Sequence, residues 1–178
     1  PHNIIKMGEI IYQNIKKDIS IFDRKSRNIL RKKFKSFTSI LEDLNQWTQQ
    51  QVSTIPSGQR TIVSKHKAME YYGNAFGLKT FSLLDSMGHS SSLRPKALSS
   101  LLGELKDKKV KVLFPEQKPV SKLLRNLSRQ SSIPISSTQI YVDGLMLKGN
   151  TISVAIHNTC TIVNSLGGSC DKKAGDKI

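Results

Sequence analysis

A stretch of 30 residues without glycine or proline, from Asp23 to Val52, constrains the fold more than any other feature of the sequence. Apolar side chains recur in it at the three- or four-residue spacing of one helix face: Leu30, Phe34, Phe37, Leu41, Leu44 and Trp47. A helix of this length extends about 45 Å, which is more than the width of a small domain. The stretch is therefore predicted to be a long connecting helix, which ends before Pro56-Ser57-Gly58.

The rest of the chain predicts an α/β fold with a parallel sheet. After Gly58, short apolar or β-branched runs alternate with helical stretches, the order expected of βαβ units. The predicted strands are residues 60–64, 79–84, 109–114 and 140–142, and the predicted helices are 4–17, 67–76, 95–106, 118–129 and 151–166. We therefore predict a helical linker at 1–58, followed at 59–178 by a four-stranded parallel sheet flanked by helices.

Residues able to bind a metal follow each predicted strand. They are His66, Asp85 with His89, Glu116, and Asp143. Because ligands bind at the carboxyl ends of the strands in an open parallel sheet, imidazoles and carboxylates there are candidates for a divalent cation such as Zn²⁺. Taken singly, each has a simpler interpretation: His89 as an exposed loop residue, Glu116 as a helix cap, and Asp85 as the start of a turn.

The charge of the chain is strongly basic, with 28 Lys and Arg against 13 Asp and Glu and a formal net charge of +15. Seven of the basic residues fall between Arg24 and Lys35. A nucleic-acid-binding module is the alternative function that this cluster suggests, and its affinity would fall steeply with salt. No aromatic RNA-binding pattern, zinc-finger spacing or phosphate loop accompanies the cluster, so a solvated helix face is the favoured interpretation.

An enzyme is not predicted. Ser64, His66 and Asp143 form a nominal nucleophile set, but Ser64 falls inside a predicted strand, and no G-x-S-x-G or H-E-x-x-H motif occurs. Cys160 and Cys170 are close enough in sequence to close one short disulfide loop, and two free thiols remain the alternative. The chain has no apolar run long enough to span a bilayer. It begins at Pro1 without a signal peptide, so we expect residues to have been removed upstream.

Several segments, taken in order, resemble the periplasmic zinc- and manganese-binding proteins that serve ABC uptake transporters. They are residues 1–7 (PHNIIKM), 62–72 (IVSKHKAMEYY) followed by Phe76-Gly77-Leu78, 110–116 (VKVLFPE), 140–145 (IYVDGL), and 156–158 (IHN). The resemblance covers nearly the whole chain. It implies two α/β lobes joined by one long helix, of which this chain resembles the carboxy-terminal lobe and the linker.

The resemblance implies a metal site divided between two lobes. His66 and Asp143 match family ligands, although many manganese-type members have glutamate in place of the histidine. Two further histidines belong to an amino-terminal lobe that is missing here, and His2 falls at a variable position. Three nitrogens and one carboxylate favour zinc, with manganese as the alternative.

Further groups are expected around the ligands, and the resemblance also implies partners and a location. Glu116 is expected to hydrogen-bond a ligand histidine and so fix its tautomer. His89 is a further candidate for a group that supports the ligands without binding the metal. His157 is expected to be a surface residue. The implied partners are a divalent metal ion, an ABC transporter membrane permease and the amino-terminal lobe, with no nucleic acid, and the implied location is periplasmic or extracytoplasmic and membrane-associated.

Overall fold

The amino-terminal part of the molecule is a pair of antiparallel helices, seen in a computed structural model that describes residues 1–18, 23–87 and 95–178. Helix α1 spans His2–Asp18 and helix α2 spans Arg24–Ser53. The ring of Tyr12 stacks on that of Phe34, with centroids 4.3 Å apart, and Gly8 lies against Phe37. Asp23 caps α2 by accepting a hydrogen bond from the Ser26 amide at 2.8 Å. The predicted long helix is confirmed.

A parallel strand pair forms the regular part of the sheet. After a single 3₁₀ turn at Ser57–Gln59, strand β1 spans Thr61–Ser64 and pairs in parallel with β2 at Lys79–Ser82. Helix α3, Glu70–Phe76, connects the two strands and is followed by Gly77, whose φ of 70° is the left-handed conformation that glycine adopts most easily. The predicted βαβ unit is therefore present, with its helix three residues shorter at the start than expected.

The other two predicted strands lack regular pairing and make only isolated hydrogen bonds, and Lys109 has a left-handed φ of 50°. The Phe114 amide donates to the Val63 carbonyl at 3.0 Å, and the Ile140 amide donates to the Pro115 carbonyl at 2.9 Å. Leu113 also forms one parallel bridge with Ile135. The α/β class with a parallel sheet is thus confirmed, but the described residues contain two regular strands, not the predicted four. Pro115 and the proline before Ile135 have no N–H, which prevents a continuous ladder here.

Helices cover the remaining parts of the fold. They are α4 at Leu83–Met87, α5 at Pro95–Asp107, α6 at Lys122–Ser131, α7 at Thr151–Ser165 and α8 at Lys172–Gly175. The start of α6 was predicted four residues too early, because the Ser121 hydroxyl caps the helix by accepting from the Leu124 amide. Helix α4 replaces the end of a predicted strand, and α8 was not predicted.

The sheet is buried on both faces. Neighbouring residues of β1 point in opposite directions, Ile62 into one apolar cluster with Ile162 and Val63 into another with Leu105. Ile62 and Val63 are both fully buried. This double burial is typical of parallel sheets covered by helices on each side.

The carboxy-terminal tail is fastened to α2 and α7. Cys160 and Cys170 form a disulfide with a Cα–Cα distance of 5.2 Å. The Trp47 indole Nε1 donates to the Asp171 carbonyl at 3.1 Å, and the Asp171 amide donates to Gln51 Oε1 at 2.8 Å. In the described ranges, no helix combines the length and apolar character that crossing a bilayer requires.

Candidate metal centre

His66, Glu116 and Asp143 each lie just beyond an extended segment of the sheet layer. His66 follows β1 by two residues, Glu116 follows the segment that ends at Phe114, and Asp143 follows residues 140–142. The hydrogen bonds from Phe114 to Val63 and from Ile140 to Pro115 link these segments side by side. The topology therefore places His66 and Glu116 together at one edge of the strand pair, and a single hydrogen bond joins the segment that leads to Asp143 to Pro115.

His66 and Glu116 are in direct contact. The His66 amide donates to Glu116 Oε1 at 2.9 Å, and His66 Nδ1 lies 2.5 Å from Glu116 Oε2. The Glu116 side chain is only 7% exposed, whereas that of His66 is 46% exposed. Because a carboxylate accepts hydrogen bonds, Nδ1 carries the ring proton in this contact, and Nε2 keeps its lone pair available for a metal.

The loop that carries His66 is held by hydrogen bonds to buried groups. The Ser64 hydroxyl, which is buried, donates to the His66 carbonyl at 2.9 Å. The Lys65 carbonyl accepts from the Leu84 amide at 3.1 Å. These contacts fix the backbone on both sides of the imidazole, and they occupy the Ser64 hydroxyl within the loop.

A cavity of about 190 Å³ lies beside His66. Its walls include Glu70 and Asp85. Asp85 lies in the first turn of α4, and its amide donates to the Ser82 hydroxyl at 3.4 Å. The structure thus places Asp85 on the same cavity as His66, whereas His89 lies outside the described residues.

Asp143 is exposed at the end of a segment that α7 holds in place. Asn158 of α7 accepts from the Tyr141 amide at 2.9 Å and donates to the Tyr141 carbonyl at 2.7 Å. His157 Nε2 lies 2.9 Å from the Gln139 carbonyl, so His157 is half-buried and bound to backbone, where a surface position was expected. Sequence reasoning missed Asn158 as a contact of this segment.

The described residues do not form a complete metal site by themselves. Within residues 1–18, 23–87 and 95–178, no three His, Cys, Asp or Glu side chains converge as a metal would require. The basic residues between Arg24 and Lys35 are exposed on the first half of α2, which precedes β1 in the sequence.

Comparison with known proteins identifies the family. The family model described as zinc-uptake complex component A, periplasmic, matches residues 3–165. The chain therefore belongs to this family, whose members are solute-binding components of ABC metal uptake and not enzymes. The resemblance predicted from the sequence is confirmed.

Individual relatives agree with this assignment. The manganese-binding lipoprotein MntA of Halalkalibacterium halodurans is 27% identical over 168 residues, which are 92% of this chain and 54% of the relative. The manganese ABC transporter substrate-binding lipoprotein PsaA of Streptococcus pneumoniae is 26% identical over 151 residues, 84% of this chain and 48% of the relative. The chain thus spans about half the length of these relatives.

A solved structure supports the fold. The periplasmic zinc-binding protein TroA of Treponema pallidum superposes with a TM-score of 0.70 at 18% identity, covering 89% of this chain and 58% of TroA. At this identity the likeness concerns the fold alone. The family and its lipoprotein relatives place the chain outside the cytoplasm, in the periplasm or at the membrane surface, as predicted.

Proposed function

We propose that this chain supplies half of a site that captures a divalent transition metal for delivery to an ABC uptake permease. The observation that carries the proposal is the contact between His66 and Glu116. An exposed imidazole whose Nδ1 proton is held by a nearly buried carboxylate has the arrangement common to metal-bound histidines.

Asp143 is the second proposed ligand. Its carboxylate has no hydrogen-bond or ion-pair partner in the described part of the chain, so its oxygens are available. The proposed domains are the helical linker at 1–58 and the metal-binding lobe at 59–178. Two imidazoles from an amino-terminal lobe would complete four ligands around the ion.

Zinc is the metal we propose, with manganese as the alternative. Relatives are named for manganese and for zinc, so their names do not separate the two. The choice rests on His66: an imidazole at this position gives a site richer in nitrogen, which suits Zn²⁺ better than Mn²⁺. No catalytic role is proposed, because Ser64 donates its hydroxyl to the His66 carbonyl. His89 is proposed as a group that supports the ligands without binding the metal.

Calorimetric titration of the chelator-treated chain with Zn²⁺ and Mn²⁺ tests the proposal. We expect weak zinc binding that His66→Ala or Asp143→Ala abolishes, and weaker binding of manganese. The control for loss of an imidazole is His2→Ala, at the first residue of α1. The control for loss of a carboxylate is Asp176→Asn, on the tail.

Two results would refute the proposal. One is a tight site that survives both His66→Ala and Asp143→Ala, since the ligands would then lie elsewhere. The other is the absence of zinc binding by the unchanged chain, and an affinity for nucleic acid that falls steeply with salt and ignores chelators would then favour the nucleic-acid alternative.

A further inference from the structure

The segment that leads to Asp143 has little backbone support of its own. Among the described residues, the only backbone hydrogen bond between this segment, 139–143, and the sheet layer is the one from the Ile140 amide to the Pro115 carbonyl. A regular strand would bond a neighbour along its length. The position of the Asp143 carboxylate must therefore be fixed by other contacts.

Asn158 supplies the missing pairing. Its side-chain amide accepts from the Tyr141 N–H at 2.9 Å and donates to the Tyr141 carbonyl at 2.7 Å. One side chain thus satisfies both backbone groups of Tyr141, as a paired residue does in a β-ladder. Tyr141 lies two residues before Asp143.

Helix α7 is a rigid support for this contact. Asn158 is 8% exposed, and the next residue, Thr159, is fully buried. The Thr159 hydroxyl is 3.0 Å from the Tyr72 hydroxyl, and Cys160 is tied to the tail by the disulfide. His157, on the other side, adds the contact with the Gln139 carbonyl, and its ring lies edge-on to that of Tyr141 with centroids 5.1 Å apart.

We propose that Asn158 is a positioning residue for the metal ligand Asp143, acting through the backbone of Tyr141. This inference rests on the proposed function, because it concerns the affinity of the same site. Asn158 does not touch the metal. It holds the backbone from which the ligand projects, so that the carboxylate is in place before the metal binds.

The test compares Asn158→Leu with Thr159→Val in the whole chain. At adjacent positions of the same helix, Asn158→Leu removes two buried side-chain hydrogen bonds and adds volume, whereas Thr159→Val removes one and nearly conserves volume. Zinc affinity is measured by competition with a colorimetric chelator, thermal stability by calorimetry, and exchange of the Tyr141 amide by NMR. Asn158→Ala is measured alongside, in case leucine prevents folding.

We expect both variants to lower the melting temperature, and only the Asn158 variants to weaken zinc binding, by about tenfold. Exchange of the Tyr141 amide should accelerate only when Asn158 is replaced. The inference is overturned if the Asn158 variants bind zinc as the unchanged chain does, or if Thr159→Val loses as much affinity. If the unchanged chain does not bind zinc, or if Asp143→Ala binds equally well, the proposed function fails first, and this inference fails with it.

Discussion

Replacement of Glu116 by glutamine tests the chemistry of the site with the smallest change of shape. Glutamine keeps one oxygen that can accept from the His66 amide or from Nδ1, but it carries no charge. In the structure Glu116 makes both contacts, at 2.9 Å and 2.5 Å, from a side chain that is 7% exposed. The substitution therefore leaves one of the two N–H groups without its acceptor, and it changes a charge-assisted hydrogen bond to the imidazole into a neutral one.

The size of the effect follows from that change. A hydrogen bond to a charged group contributes roughly 1.5 to 3 kcal/mol and a neutral one roughly 0.5 to 1.5 kcal/mol, so the loss is about 1 to 1.5 kcal/mol. Only the part of this loss that appears on metal binding changes the affinity, and replacing a group that hydrogen-bonds a metal ligand typically lowers metal affinity about 10- to 100-fold, so we expect Glu116→Gln to weaken zinc binding by about tenfold. The charge matters more in the metal complex, because coordination at Nε2 draws electron density from the ring and strengthens the Nδ1–H donor.

Competition titration with a zinc chelator measures the effect, with Glu70→Gln as the matched control. Glu70 lines the same cavity and pairs with Lys67 at 3.2 Å, but both of these side chains are exposed. Removing its charge should change zinc affinity by no more than about twofold, because exposed charges are screened. Equal losses in the two variants would mean that net charge near the cavity governs binding, and the argument from the tautomer of His66 would be refuted.

Two further predictions concern stability. Replacing Cys160 and Cys170 with alanine opens a loop with a sequence separation of 10. This double replacement should lower the free energy of unfolding by about 2.7 kcal/mol and the melting temperature, measured by calorimetry, by about 7 °C. An unchanged melting temperature would show that the tail is held without the disulfide. Burial raises the pKa of Tyr72 from 10.0 to about 12, so folding favours the protonated phenol, and this stabilisation is present below pH 10 and lost as the pH rises towards 12. Between pH 9 and pH 11, the free energy of unfolding in urea should fall by about 1 kcal/mol more for the unchanged chain than for Tyr72→Phe. Equal decreases would contradict a raised pKa of Tyr72 in the folded protein.

The sequence predicted those elements whose determinants are local. Helix α2 follows from its apolar spacing and its lack of glycine and proline, and the end of α3 follows from Gly77. Strand regularity is different, because a ladder depends on donors in a neighbouring segment. The predicted strands at 109–114 and 140–142 meet segments interrupted by prolines, which no pattern within the strands themselves reveals.

The same distinction applies to the site. His66 and Glu116 were predicted to lie at one edge because both follow strands, and the structure places them in contact. Their roles as ligand and supporting group, like that of Asp143, stay predictions. The contact of Asn158 with Tyr141 spans 17 residues and depends on how α7 packs against the sheet layer. Only the tertiary structure specifies such a contact.

The attachment of the tail to α2 gives this molecule an optical reporter. Trp47 is the single tryptophan of the chain, it is 6% exposed, and its indole N–H donates to the Asp171 carbonyl. Gly175 of α8 lies so close to the indole ring that a side chain there would collide with it. Tryptophan emission therefore reports whether the last residues are docked on the long helix, and a red shift of the emission spectrum indicates release of the tail. The sheet edge at His66 does not contribute to this signal.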